Sequence, residues 1–178
     1  MHNDNTEKWD LYNGYREKTG ETIVRGTKIP DGRFRLVVHV AIFNSKGQLL
    51  IQRRQKDKSR WADLWDVSVG GHVIAGETSD LAAERETMEE LGLFISLAGK
   101  RPALTLTFGN GFDDMYTIEQ EVDITKLKLQ EDEVQEVRWA TLEEVHAMID
   151  EETFIPYEKS LMDLLFFLRN HSEAHTKL

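Results

Sequence analysis

The sequence contains no cysteine, which excludes both a disulfide framework and covalent catalysis by a thiol. This absence fits a reducing compartment, and we expect the protein to be cytoplasmic. No apolar run approaches the roughly 18 residues of a membrane span. The first residues, Met-His-Asn-Asp-Asn-Thr-Glu-Lys, also lack the apolar stretch of a signal peptide. We therefore expect no membrane partner and a protein that stays where it is made.

Positive charge is scarce relative to negative charge. The 178 residues include 22 Lys and Arg against 32 Asp and Glu, a formal net charge of −10. Because binding to a nucleic-acid polymer draws on clustered lysine and arginine, this balance argues against DNA or RNA as a partner. A small phosphorylated substrate stays compatible, because a metal ion and nearby bases can meet its charge locally. Such bases occur in one segment: Arg53, Arg54, Lys56, Lys58 and Arg60.

The length, with 40% apolar and 30% charged residues, suits a single hydrophobic core. Turn signals at Asn13-Gly14 and Thr19-Gly20 predict a hairpin-like leader before the core. An apolar strand over 34–43 and a partner strand from Leu49 are predicted to form a second hairpin. We therefore divide the chain into a leader, residues 1–33, packed on a domain of residues 34–178 that includes the C-terminal helix.

The second half of the chain predicts further strands and two late helices. The strands are expected near residues 94–97, 103–108, 115–122 and 134–139. One helix should begin near Thr141, where Thr-Leu-Glu-Glu is typical of a capping box. The last should span about 157–170, with an apolar stripe at 161, 164, 165 and 168. Strands on both sides of a central helix predict an α/β protein with a mixed sheet between helical layers.

Three glutamates in the middle of the chain are spaced to share one face of that central helix. Glu86 is followed at i+3 by Glu89 and at i+4 by Glu90. Two bare carboxylates ~4 Å apart repel by roughly 4 kcal/mol where the effective dielectric constant is near 20, so a partly covered cluster needs a cation. Oxygen ligands without a thiolate favour Mg²⁺ or Mn²⁺ over zinc. A solvated acidic helix face is the alternative, as for most charge runs.

Glycines on both sides of the glutamates argue against that alternative, because they indicate a tight loop before the helix and a defined end after it. Gly76 permits a tight loop, and Gly92 stands where a helix C-cap favours a left-handed residue. The segment resembles the Nudix box, Gx5Ex7REUxEExGU, in which U is a bulky aliphatic residue. Thr87 departs from the pattern at one such position, which affects helix packing but no ligand. The positions that match are Gly71, Glu77, Arg85, Glu86, Glu89, Glu90, Gly92 and Leu93.

The resemblance to Nudix hydrolases implies an α/β/α sandwich around a mixed sheet and a metal-dependent attack of water on a diphosphate. It implies metal ligation by the carbonyl of Gly70 together with the three box glutamates. Arg85 can hold carboxylates in place through bidentate hydrogen bonds. Glu77 is assigned a supporting role near the metal. Family members often pair as dimers, so a homodimer is compatible with the resemblance.

Residues outside the glutamate helix are needed to activate water and to bind substrate. The family often supplies the base from a loop outside the box, and we favour Asp114 because it follows the flexible run Gly109-Asn110-Gly111. The other candidates for this base are Asp113, Glu119 and Glu121. Arg53 and Arg54 are candidate substrate ligands. His72 is another, although a structural role for it is equally compatible with the sequence.

The stretch from His39 to Arg54, with the run Trp65 to His72, resembles the branch closest to isopentenyl-diphosphate isomerase. That enzyme protonates an alkene with a cysteine in Ser-Val-Cys-Gly-His, where this chain has Ser-Val-Gly-Gly-His with Gly70 at the cysteine position. The isomerase box is degenerate at the hydrolytic glutamates, whereas this box keeps them. We therefore favour a hydrolase of nucleoside diphosphates linked to another moiety. The alternatives are an isomerase-like enzyme and a nucleotide-binding module without turnover.

Overall fold

The computed structural model describes residues 7–171 and residue 175. These residues form strands, α-helices and one short 3-10 turn, Ile124–Lys126. The helices are α1 (Ser79–Leu91), α2 (Leu142–Asp150) and α3 (Lys159–Leu168). The strands are β1 (Lys8–Tyr12), β2 (Lys18–Val24), β3 (Arg35–Phe43), β4 (Leu49–Arg54), β5 (Trp65–Asp66), β6 (Val69–His72), β7 (Leu104–Phe108), β8 (Gly111–Glu119) and β9 (Val134–Ala140).

The strands pair into two sheets. Strands β1 and β2 form an antiparallel pair, as the turn signal at Asn13-Gly14 predicted, whereas Thr19-Gly20 lies within β2 and forms no turn between strands. The larger sheet has the strand order β5-β4-β3-β8-β7, with β6 paired to β3 and β9 paired to β4. The prediction of an α/β fold with a mixed sheet is confirmed. None of the helices in the described part of the chain combines the length and the apolarity needed to cross a bilayer.

Contacts divide the chain into two compact units, and the first holds most of the loop before α1. This unit comprises the described part of Met1–His39, together with Gly70–Glu86 and Ser96–Tyr116. The β7–β8 hairpin pairs Leu104 with Met115 and Phe108 with Gly111. The leader is tied to the start of β3 by two backbone hydrogen bonds between Tyr12 and Phe34, of 2.8 and 2.9 Å. The proposed boundary at residue 33 stays a prediction.

The second unit comprises Val40–Val69, Thr87–Ile95 and the described part of Thr117–Leu178. Its core includes the fully buried Leu49, Leu50 and Ile51 of β4, and β4 pairs with β9 along its length. The capping box predicted at the start of α2 is present, because Thr141 and Glu144 each bind the backbone of the other. Strand β4 forms from a continuous apolar run that is buried on both faces, and α2 buries Val145 and Met148 at helical spacing.

Three details of the predicted elements are wrong. Residues 94–97 form no strand, because Leu97 donates its N–H to the Glu84 carboxylate, 2.5 Å away. The strand expected from 115 begins at Gly111, so the flexible loop that we predicted before Asp113 is only a tight turn. Helix α3 begins later than expected. Of the predicted stripe Leu165 is buried, but Leu164 is exposed, and Met162 and Phe166 are buried in addition.

Candidate active site

Helix α1 carries all three predicted metal-binding glutamates, and their surroundings differ. Glu90 is buried at 5% exposure, Glu86 is partly buried, and Glu89 is exposed. Thr87, the departure from the box pattern, is fully buried in the helix. The helix stops at Gly92, whose φ of +62° suits glycine. A Cβ atom there would also lie 2.8 Å from the Cβ of Lys128, so packing excludes a larger residue.

Arg85 of α1 makes polar contacts both with the segment that precedes the helix and with a neighbouring residue of the helix. Its guanidinium donates two hydrogen bonds to the Glu77 carboxylate, of 2.9 and 3.0 Å, and pairs with Glu86 at 2.9 Å. It also donates to the backbone carbonyl of His72 at 2.9 Å. Burial lowers the pKa of Arg85, but Glu77 and Glu86 raise it more, so the net shift is upward. Arg85 is therefore a permanent cation between two predicted site carboxylates.

Gly71 leaves room for the Glu86 carboxylate. A Cβ atom on Gly71 would lie 2.1 Å from the Glu86 carboxyl carbon and 2.3 Å from Oε1, so any larger residue would displace the carboxylate. The loop after Gly71 is closed by Glu77, which accepts a hydrogen bond from the Ile74 N–H at 3.3 Å. The first glycine of the box thus provides space, and its first glutamate organises the loop.

Gly70 is packed against a histidine. A Cβ atom on Gly70 would lie 2.7 Å from Cδ2 and 2.8 Å from Nε2 of His39. The other ring nitrogen of His39, Nδ1, lies 2.8 Å from the Asp113 carboxylate, which fixes the ring. The strand that precedes the box therefore has no space for a side chain at residue 70 unless His39 moves.

Glu90 has a buried amide partner that sequence reasoning missed. Gln52 is 2% exposed, and its Nε2 donates to the Glu90 carboxylate at 2.9 Å. Its Oε1 is buried with no hydrogen-bond partner among the described residues. An unpartnered buried acceptor beside a carboxylate is a place where a cation or a water can be bound. A signal existed, because Gln52 continues the apolar run Leu49 to Ile51 and polar residues in such runs are seldom exposed.

Asp114 does not lie on a mobile loop, so the premise on which it was favoured as the catalytic base is wrong. It belongs to β8 and its side chain is fully buried. Thr105 donates a hydrogen bond to it at 2.6 Å, and Arg16 of the leader forms an ion pair with it. These contacts fix the position of the Asp114 carboxylate. Its assignment as a base stays a prediction, and the geometry favours a structural role.

The predicted substrate ligands are already engaged in other contacts. Arg53 pairs with Asp63 and Glu136, each at 3.1 Å. Arg54 lies 3.7 Å from Asp66.

His72 is held by a stacked ring and is uncharged. Its imidazole stacks on Trp9 with ring centroids 4.4 Å apart and an interplanar angle of 4°. Burial, assisted by the positive charges of Arg35 and Arg25, lowers the pKa of His72 to about 3. A neutral, stacked imidazole is suited to shaping the site rather than to supplying positive charge for a phosphate.

The donor atoms in this region suit a hard cation. They are carboxylate, amide and backbone oxygens, which Mg²⁺ and Mn²⁺ prefer. Among the residues that the structure describes, no group of three or more His, Asp and Glu side chains already stands at metal-binding distances. In unit one the Glu86 carboxylate is held by Arg85, and in unit two the Glu90 carboxylate is held by Gln52. Ligand chemistry therefore fits a divalent cation.

Comparison with known proteins identifies the family. The chain matches the NUDIX domain model over residues 33–163. It is 48% identical to a Nudix hydrolase of Listeria monocytogenes over 169 residues, which cover 95% of this chain and 99% of that protein. It is 30% identical to isopentenyl-diphosphate Delta-isomerase of Escherichia coli over 152 residues, 82% of each chain. A crystal structure from Deinococcus radiodurans superposes with a TM-score of 0.69 at 30% identity, covering 92% of this chain and 98% of that chain.

The protein is thus a hydrolase of the class that acts on diphosphate bonds. The chain belongs to the Nudix family, whose domain model covers most of its length. Nudix hydrolases generally use a divalent metal and act on small substrates. The more distant similarity to the isomerases confirms the predicted branch of the superfamily.

Proposed function

We propose that the protein hydrolyses the diphosphate bond of a nucleoside diphosphate linked to another moiety, with Mg²⁺ or Mn²⁺ as cofactor. The single observation that carries the proposal is the arrangement at α1. One helix bears three glutamates at i, i+3 and i+4, and the Arg85 guanidinium holds the first of them. An acidic helix face of no function would need neither the bidentate Glu77–Arg85 contact nor the space at Gly71.

The proposed metal ligands are the carbonyl of Gly70 and the carboxylates of Glu86, Glu89 and Glu90. A bound divalent cation would polarise a phosphoryl oxygen and lower the pKa of an attacking water. Arg85 orients Glu86, because its guanidinium lies 2.9 Å from the Glu86 carboxylate. Gln52 orients Glu90 in the same way through a neutral hydrogen bond. Glu77 supports Glu86 indirectly, because it fixes the position of Arg85.

The space around Gly70 favours hydrolysis over alkene isomerisation. The isomerase reaction needs a thiol at this position, and here the residue is Gly70, where even a Cβ atom would lie 2.7 Å from the His39 ring. Asp113 holds that ring in place. A binding module without turnover is disfavoured by the intact set of glutamates. A module that only binds a nucleotide does not need three clustered carboxylates, whose negative charge would repel the phosphates unless a metal ion is bound.

Several sequence predictions remain proposals. Arg53 and Arg54 could reach substrate phosphates only by exchanging their carboxylate partners, so we assign them a secondary role. His72 is proposed to line the site as a neutral ring. A homodimer and a cytoplasmic location also stay predictions.

The test is a panel of nucleoside diphosphate conjugates: ADP-ribose, a sugar nucleotide, a dinucleoside polyphosphate and coenzyme A. Each is incubated with the protein and Mg²⁺, Mn²⁺ or excess EDTA, and the two phosphate-ester products of diphosphate cleavage are quantified. We expect at least one conjugate to be cleaved with metal and none with EDTA. Robust turnover in EDTA, or binding of the conjugates without cleavage under every metal condition, would contradict the proposal.

A further inference from the structure

The leader hairpin β1–β2 is hydrogen-bonded to the loop that precedes α1. Three consecutive loop residues each contact a leader residue. The Ala75 N–H donates to the carbonyl of Lys8 at 2.7 Å. The Gly76 N–H donates to the Asp10 carboxylate at 2.9 Å, and the Lys18 ammonium donates to the carbonyl of Glu77 at 3.0 Å. The loop is therefore held through its backbone.

Asp10 and Lys18 act as a pair in this contact. Their charged groups lie 2.7 Å apart, and each has one further partner in the loop. Burial raises the pKa of Asp10, but Lys18 and the Gly76 N–H lower it more, so the net shift is downward. The hydrogen bond to Asp10 raises the pKa of Lys18. Both groups are therefore charged at neutral pH, and both contacts to the loop are charge-assisted.

The loop also carries Glu77, the first residue in the series of ionic contacts Glu77–Arg85–Glu86. Glu77 receives the Lys18 contact on its backbone carbonyl and binds Arg85 with its side chain. Arg85 in turn holds Glu86 at 2.9 Å. A shift of the loop backbone moves the Glu77 carboxylate, and with it the guanidinium that orients Glu86. Displacement of a catalytic group by about 1 Å can lower a rate by roughly 100-fold.

We propose that Asp10 and Lys18 are positioning residues for the reaction, which fix the loop at Gly76 and Glu77 so that Arg85 presents Glu86 correctly. The inference rests on the proposed function, because Glu86 has to be placed accurately only if it takes part in hydrolysis. It gives the leader a role in catalysis beyond covering the core. Neither residue belongs to the proposed metal or substrate ligands, so the effect of the pair is transmitted through Glu77 and Arg85.

The decisive variant exchanges the two charges, Asp10→Lys with Lys18→Asp. The exchange keeps an ion pair between the two strands, but a lysine cannot accept from the Gly76 N–H and an aspartate cannot donate to the Glu77 carbonyl. We expect thermal stability to recover relative to either single variant. We also expect kcat to stay roughly 10-fold or more below the wild type, with KM within about threefold.

A matched control lies in the same leader. Glu21 and Arg33 form an ion pair at 2.5 Å that has no contact with the loop in the described structure. The exchange Glu21→Arg with Arg33→Glu should leave kcat unchanged. Equal loss of kcat in both exchanges would assign the effect to general disturbance of the leader and overturn the proposal.

A readout without turnover is the Arg85 Nε–H signal in NMR spectra of the metal-free protein. In the wild type this proton is bound by Glu77 and should exchange slowly with water. In the Asp10/Lys18 exchange it should broaden or shift, and in the control it should not. An unchanged signal in the Asp10/Lys18 exchange would refute the link. If no conjugate is hydrolysed by the wild type, the proposed function fails, while this signal still decides whether the leader positions Arg85.

Discussion

At the scale of single residues, the environment of each carboxylate indicates what its removal should do. Glu90 is buried and bound by Gln52, so Glu90→Gln keeps the shape of the side chain and removes only the charge. We expect kcat to fall by at least ~100-fold, because loss of a charged contact in the transition state costs several kcal/mol. Steady-state kinetics measure the fall in kcat, and thermal unfolding of the same sample shows whether the variant is still folded.

Glu84 provides the control for that prediction, because it is a carboxylate on the same helix with a structural partner. It accepts the Leu97 N–H at 2.5 Å and belongs to no proposed ligand set. Glu84→Gln should therefore lower the melting temperature slightly and keep kcat. A Glu90→Gln variant with a nearly normal rate would mean that the metal ligands are assigned wrongly.

Gly70 offers a test of packing that is independent of activity. In Gly70→Ala the new methyl group would lie 2.7 Å from the His39 ring, and the expected loss is about 1–3 kcal/mol of unfolding free energy. His39→Ala removes the obstacle. Denaturant titrations should show that the double variant is more stable than the sum of the two single losses predicts. Additive losses would show that the ring does not occupy this space.

His72 predicts how the stability of the metal-free protein depends on pH. The pKa of His72 falls from 6.5 to about 3 on folding, so between those values the unfolded chain binds the proton and the folded chain does not. Stability must then decrease as pH falls through that window. His72→Phe keeps a ring against Trp9 and cannot titrate. Between pH 7 and pH 5 the wild type should lose on the order of 1 kcal/mol more than this variant, and parallel losses in calorimetry would argue against the shifted pKa.

At the scale of elements, Gly92 at the end of α1 can be compared with Gly99 further along the chain. Both have a positive φ, but only Gly92 also has a close packing neighbour. Gly92 has φ +62° and Lys128 against it, whereas Gly99 has φ +74° and open space around it. Gly99→Ala should cost about 1 kcal/mol for the backbone conformation alone. Gly92→Ala should cost clearly more, because the helix end must also move away from Lys128. Equal losses of unfolding free energy would show that packing at the helix end does not matter.

The sequence predicted the elements whose signals are local. The box helix, the leader hairpin and the capping box of α2 each depend on residues a few positions apart, so their turn and cap residues were sufficient. Asp114 was misjudged because the glycines before it resemble a mobile loop, whereas the β7–β8 pairing places it in a strand opposite Thr105, and its ion-pair partner Arg16 lies 98 positions away. Gln52 was missed for the same reason, since its partner Glu90 lies 38 positions away.

At the scale of the whole molecule, one scaffold is shared by Nudix hydrolases and by the isopentenyl-diphosphate isomerases, so the fold does not decide the chemistry. The site decides it through three local features. Helix α1 keeps its glutamates, the residue at the thiol position is Gly70, and the His39 ring fills the space beside it. The central claim is that these features make a diphosphate hydrolase in which water is the nucleophile.

The most direct measurement of that claim is turnover in ¹⁸O-labelled water with Mg²⁺, analysed by mass spectrometry of the products. The reaction mixture contains the conjugate that is cleaved fastest, together with isopentenyl diphosphate as a second substrate. The account predicts that one ¹⁸O atom enters one phosphate product in each turnover. It also predicts that no dimethylallyl diphosphate is formed. Formation of that isomer at a catalytic rate, or cleavage that leaves every phosphate unlabelled, would contradict the account.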